Sequence, residues 1–179
     1  MVRNLVLLIV SASLAATATA QDNRSAPRSI PHVRALDRES ADVLAAGLAR
    51  SPDFRRLVDR IENVDAMVFI HHGRSPQSAT NHRLGGFLSH HVGLAGSARV
   101  LHVTLVDRFG DRGIAVLAHE LQHVLEVLEA PEVRRDIDAE ALFNRIGIRT
   151  GRGIVETAAA LDVQAAVAEQ LTAQRRARR

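Results

Sequence analysis

The chain has 179 residues, 46% of them hydrophobic and 24% charged, with no Cys, Trp or Tyr. This composition excludes wholesale disorder, disulfide scaffolds, thiolate metal sites, cysteine nucleophiles and tyrosyl acids. The formal charge is only +3 although the sequence pI is about 11.0, because all 23 basic residues are Arg; a balance so near neutral, with few aromatics, does not read as nucleic-acid-binding.

Residues 1–20 read as a signal peptide. Arg3 supplies the charged start, Leu5 to Val10 the apolar run, and Ala18-Thr19-Ala20 the small-x-small cleavage pattern. The uncharged stretch is too short for a membrane span of roughly 20 residues. The mature protein is therefore expected to be exported, periplasmic or secreted, with no stable membrane span once the leader is cleaved. Residues 21–34 are polar and carry Pro27 and Pro31, the pattern of a flexible mature N-terminus. A single domain over 35–174 and a basic C-terminal tail at 175–179 complete the expected organisation.

Within the domain, Ser40 is expected to cap a helix running through Val43, Leu44 and Leu48. Ser51 with Pro52 opens a second through Phe54, Leu57, Val58 and Ile61. The period then changes. Short apolar runs at Met67 to Ile70, Leu84 to His91 and Arg99 to Val106 predict about three strands. Asp111 begins the longest helical pattern, which runs to about Glu129 and is stopped by Pro131. A helix over Asp136 to Ile146, ended by Gly147, and an Ala-rich terminal helix over Ile154 to Ala173 follow. Helices, a small sheet, then helices make an α+β fold.

The long helix contains His119-Glu120-Leu121-Gln122-His123. Two His four apart lie on one helix face, about 6 Å apart along the axis, so both imidazoles can reach one ion. Glu120 sits roughly 100° round the helix, where it can address a water on that ion. Ile114, Leu117, Leu121, Val124, Leu125 and Leu128 form an apolar back, and Val116 and Val127 flank the His pair. A helix apolar on both sides is buried, and two buried imidazoles with nearby carboxylates need partners that a metal would supply.

This pattern resembles the active helix of the zincin metallopeptidases. The resemblance implies a zincin-like fold in which a small sheet precedes the active helix. It further implies zinc held by His119 and His123, Glu120 as general base toward the water on it, and a peptide or protein substrate. The residues after His123 lack the Gly and later His of the metzincin extension, so the gluzincin arrangement, with a Glu from a later element, is the nearer match. Glu156, at the start of the terminal helix, is the first candidate for the third ligand. Glu126 follows, more plausibly orienting His123 through its carboxylate than ligating, and then Glu140 on the next helix. With no Tyr available, His71, His72, His90, His91, Arg149 and Arg152 are the candidates to stabilise an oxyanion. Strand 99–106 is expected to offer an edge to an extended peptide. The rival reading is a non-catalytic or degenerate zincin-like protein, a metal-binding or scaffold module of the periplasm.

Overall fold

The computed structural model of the protein describes residues 30–74, 85–89, 91–106, 110–149 and 155–179. The expected leader and the oxyanion candidates His90 and Arg152 lie outside them. The first element is a strand, β1 (Val33–Ala35), beginning inside the segment expected to be flexible. Glu62 anchors it, accepting from the backbone N–H groups of His32 at 2.7 Å and Val33 at 2.9 Å. Helix α1 (Arg38–Arg50) follows, capped by Asp37 rather than by Ser40. The Asp37 carboxylate accepts from Ser40 N–H at 2.8 Å and from Ser40 Oγ at 2.9 Å, so Ser40 is a partner of the cap inside the first turn. A carboxylate also complements the positive end of the helix, which a hydroxyl does less well.

Helix α2 (Pro52–Glu62) starts as its sequence signals, with Ser51 as cap and Pro52 in the first turn, and buries Phe54, Leu57, Val58 and Ile61. It meets α1 at Gly47, where an added Cβ would lie 2.8 Å from the Phe54 ring. Glycine inside a helix costs about 1 kcal/mol of propensity. Full burial of a large apolar side chain such as Phe54 contributes about 1.5–3 kcal/mol, which offsets it.

The sheet is larger than three strands. β2 (Ala66–His72) pairs in parallel with β1 on one side and with β5 (Ala98–Leu105) on the other. The far edge of β5 takes two short antiparallel strands, β3 (Gly86–Leu88) along residues 103–105 and β4 (Gly93–Ala95) along residues 98–100. The expected strand from Leu84 to His91 thus shortens to β3, and a separate β4 follows it. The inner face alternates as a half-buried sheet must: Val68, Ile70, Leu101, Val103 and Leu105 are all fully buried.

Against that face lies α3 (Gly110–Glu129), the helix of the His-Glu-x-x-His motif. Its other neighbours are α1, α2 and the terminal helix α5 (Ala158–Ala177). Leu117, Ala118, Leu121 and Val124 are fully shielded. The C-terminal end of α3 is held by Arg99 of β5, which is 8% exposed. Its guanidinium donates to the carbonyls of Val127 (2.8 Å), Leu128 (2.6 Å) and Ala130 (2.8 Å). These carbonyls have no donor within the helix, and a cation there meets the negative end of its dipole.

Helix α4 (Asp136–Ile146) matches its expected span, with Gly147 beyond it. Gly147 has φ −83°, which any residue adopts; what glycine supplies is room, since a Cβ there would stand 2.1 Å from Val155 Cγ1. A two-stranded ribbon, β6 (Ile148–Arg149) with β7 (Val155–Glu156), precedes α5. Thr157 caps α5, which starts at Ala158 and runs to Ala177, so Arg175 and Arg176 of the expected tail are helical. Residues 31–179 form one compact unit. Among the described residues no helix is long and apolar enough to cross a membrane. The architecture is α+β: a small mixed sheet, the motif-bearing helix, then the C-terminal helices.

Candidate metal centre

The middle of α3 presents His119 and His123 to the same point from adjacent turns, and β7 brings Glu156 to it. His119 Nε2 and His123 Nε2 are 3.1 Å apart. Glu156 Oε2 stands 2.7 Å from the first and 3.7 Å from the second. Both imidazoles are 7% exposed. The 2.7 Å approach is not an aligned hydrogen bond, since Glu156 Oε2 is buried with no hydrogen-bond partner. Three buried ligand atoms converge, and one of them is an orphan.

That donor set fits a divalent cation. A tetrahedral ion with bonds of about 2.0–2.1 Å separates its ligand atoms by about 3.3 Å. The three observed separations, 2.7, 3.1 and 3.7 Å, bracket that value. Two imidazole nitrogens and one carboxylate oxygen also leave a tetrahedral position open. The charges agree. Burial pushes the Glu156 carboxyl up, yet the two imidazoles beside it hold it down at about 2. For His123, burial pulls down but the Glu126 and Glu156 carboxylates raise it to about 9, so the pocket favours positive charge.

Glu156 was expected at the start of the terminal helix; it lies instead in β7, opposite Ile148 of β6. The difference matters, because a strand residue next to the Thr157 cap is fixed from both sides. Glu126 occupies the position that orients a ligand. Its Oε2 pairs with His123 Nδ1 at 2.9 Å, on the far side of the ring from the ligand atoms. Its Oε1 accepts from Thr157 Oγ1 at 2.6 Å, and that same Oγ1 accepts from Ala160 N–H at 3.1 Å. One carboxylate therefore ties the His ring to the residue following Glu156. Phe143 of α4 packs edge-on to His123, 5.4 Å between ring centroids. Sequence reasoning missed Thr157, although a Thr before an Ala run carries the signature of a helix cap. Glu140, the last of the ligand candidates, is exposed on α4 and is not part of the cluster.

Glu120, 6% exposed, points off the other flank of α3, toward β3. Burial raises its carboxyl to about 7, against the lowering effect of the two imidazoles and of a hydrogen bond from Leu88 N–H. The approach of β3 depends on Gly86: a Cβ there would lie 3.0 Å from Val116 Cγ1 and 3.2 Å from Glu120 Cγ. The strand expected to offer a free edge, 99–106, is internal, with β2 on one side and β3 and β4 on the other. The edge beside Glu120 belongs to β3. The bonds from Ser89 N–H to His102 O and from Val106 N–H to Gly85 O flank the Phe87–Thr104 pair. By the antiparallel alternation, the backbone groups of Gly86 and Leu88 face away from β5.

The described oxyanion candidates are engaged elsewhere. His71 Nε2 bonds Thr104 Oγ1 at 3.0 Å, His91 Nδ1 meets Asp136 at 3.3 Å, and Arg149 donates to Asn144 at 3.1 Å. His72 belongs to the cap of α1: its N–H donates to Asp37 Oδ2 at 2.7 Å, and its Nδ1 lies 3.2 Å from Ser40 Oγ. With Glu39 these groups form a second cluster of potential ligand atoms, but the cap already employs both Asp37 oxygens.

No family model, curated protein or solved structure matches the chain. The geometry stands by itself: His119, Glu120 and His123 on one helix, with Glu156 brought to them from β7, match a gluzincin-like HExxH metal-binding active site.

Proposed function

We propose that the protein is an exported zinc-dependent peptidase, with His119, His123 and Glu156 as metal ligands and Glu120 as general base. The observation that carries this reading is the convergence of three buried ligand atoms beside a carboxylate whose own partner is the backbone of β3. When bound, the ion supplies Lewis acidity, lowering the pKa of a water toward about 7 and polarising a substrate carbonyl. The choice of zinc rests on the imidazole and carboxylate donors in an open tetrahedral set.

The protein's own residues do the rest. Glu120 accepts a proton from the attacking water on a carboxylate oxygen as the water oxygen bonds to the carbonyl carbon. It then delivers that proton to the leaving amine as the C–N bond breaks. Glu126 and Thr157 hold the His123 ring in place. The outward backbone groups of Gly86 can pair with an extended peptide and lay its carbonyl beside Glu120, main-chain pairing of the kind sheet edges offer.

The test is metal analysis of the purified protein together with cleavage of a peptide library by the wild type and Glu120→Gln. About one equivalent of zinc, with chelator-sensitive cleavage lost in the variant but zinc retained, is the expected result. Failure to take up any divalent ion removes the metal reading. Uptake without cleavage removes the peptidase and favours a second reading, a metal-binding module without turnover. One observation supports that rival: no described oxyanion candidate reaches the cluster. Export rests on residues 1–20 and is checked at the N-terminus of the mature product, expected at Gln21; a product retaining its leader opposes it.

A further inference from the structure

At the other end of α3 the chemistry reverses. A cleft of about 690 Å³ opens between the first turn of α3 and the last turns of α5. Asp111, Arg50, Arg112, Arg175, Arg178 and Arg179 line it. Asp111 precedes His119 by about 12 Å along the helix axis, so this cleft is not part of the metal centre.

Among the described residues lining it, Arg50, Arg175, Arg178 and Arg179 meet one side-chain carboxylate, Asp111, and that carboxylate is already spent. Asp111 Oδ1 pairs with Arg50 at 2.8 Å and Oδ2 with Arg175 at 2.8 Å. These two bonds fix the inner wall of the cleft, tying α1 and α5 to the start of α3. They leave positive charge in excess, and they leave Arg50 incompletely satisfied: its Nε is buried with no hydrogen-bond partner. A guanidinium presents its N–H groups as a planar fork that matches the oxygens of a phosphate, and several forks can share one tetrahedral anion. A carboxylate brings only two oxygens in one plane, and Asp111 shows that two guanidiniums use both; a phosphate brings more oxygens, set tetrahedrally. The volume lies within the range of about 300–1,000 Å³ typical of small-molecule sites, more than a lone anion needs. A phosphate borne on a larger molecule suits it better.

We infer that this cleft is a binding site for a phosphate-bearing ligand, gripped by Arg50 and Arg175 at its base and by Arg178 and Arg179 at its mouth. The phosphate is either that of a soluble phosphorylated molecule or that of an anionic lipid headgroup. Both present the same oxygens to the same forks.

The experiment uses the full metal-loaded protein and two probes. Pyrophosphate is titrated calorimetrically, and co-sedimentation is measured with vesicles of phosphatidylcholine alone or with phosphatidic acid added. The variant is Arg178→Glu/Arg179→Glu, exposed at the helix end; Arg175→Gln serves as a second, and thermal melts confirm that both fold. Saturable pyrophosphate binding, weakened at least tenfold in the variants and by added salt, identifies a soluble phosphate ligand. Binding confined to phosphatidic acid vesicles, and lost in the variants, identifies the headgroup. No binding above the phosphatidylcholine and buffer controls overturns the inference. So does binding that the folded variants retain, since that signal would arise elsewhere, for example at the metal centre.

Discussion

The two flanks of α3 carry carboxylates in opposite states, Glu120 buried and Glu126 half-buried. On the sheet side, burial raises Glu120 to about 7, against the two imidazoles and a hydrogen bond from the Leu88 N–H of β3. On the α5 side, Glu126 has both oxygens engaged, one by the His123 ring at 2.9 Å and one by Thr157 at 2.6 Å. The contrast separates two tasks that one residue type performs. A carboxylate that must take up and release a proton needs an uncommitted lone pair and a environment that does not hold it permanently ionised. A carboxylate that fixes a ligand ring needs the reverse, both oxygens tied. The same helix supplies both because its neighbours differ: a strand edge offering backbone on one side, a helix cap offering a hydroxyl on the other.

Breaking each flank in turn should give different kinds of loss. Glu120→Gln is expected to reduce peptide cleavage by about 10²–10⁴-fold while leaving metal content unchanged, measured by single-turnover kinetics beside metal analysis. Equal loss of metal would merge the two flanks. Glu126→Ala should act the other way round, weakening metal affinity by about 10–100-fold in a competition titration with a chromophoric chelator. A smaller effect is expected of Thr157→Val, which keeps the shape but removes the hydroxyl. It should lower stability by about 1 kcal/mol through the lost helix cap, with a few-fold weakening of metal binding that Thr157→Ser restores. An unaltered metal affinity in Thr157→Val would show that the Glu126–Thr157 bond braces nothing.

The smallest effect lies away from both flanks and serves as a control on them. Burial raises the Asp37 carboxyl, but hydrogen bonds from Ser40 and His72 outweigh it and bring it from 3.8 to about 2. A depressed folded value means stability that is present above the unfolded value and lost as pH falls through the folded one. Wild type should therefore lose stability relative to Asp37→Asn between about pH 4 and pH 2, in denaturant titrations of the metal-free proteins. Parallel curves for the two proteins would contradict the capping role.

How much of this is legible in the sequence follows the range of each signal. The span of α2, its Ser51 cap and its buried stripe, and the match of α4 to residues 136–146, come from signals within a few residues. So does the pairing of His119 with His123, a consequence of helix pitch. β1, β4, β6 and β7 run only two or three residues each, too short for any periodicity to announce them; β1 exists through a partner far along the chain, while β4, β6 and β7 pair with residues close by. Glu156 is recognisable in the sequence as a ligand candidate but reads there as helical, because the ribbon that holds it depends on pairing with Ile148 and Arg149. Glu126 could be read as orienting His123 from its place on the helix wheel. Its second partner, Thr157, lies on another element, and only the folded chain brings them together.

The central claim is that His119, His123 and Glu156 share one divalent ion. X-ray absorption spectroscopy of the zinc-loaded protein tests it most directly, because imidazole rings leave a characteristic multiple-scattering signature. Two imidazole nitrogens and two further light-atom ligands at about 2.0–2.1 Å are predicted, with one imidazole lost in His119→Ala. A shell of oxygen alone, or a spectrum unchanged by that substitution, would contradict it.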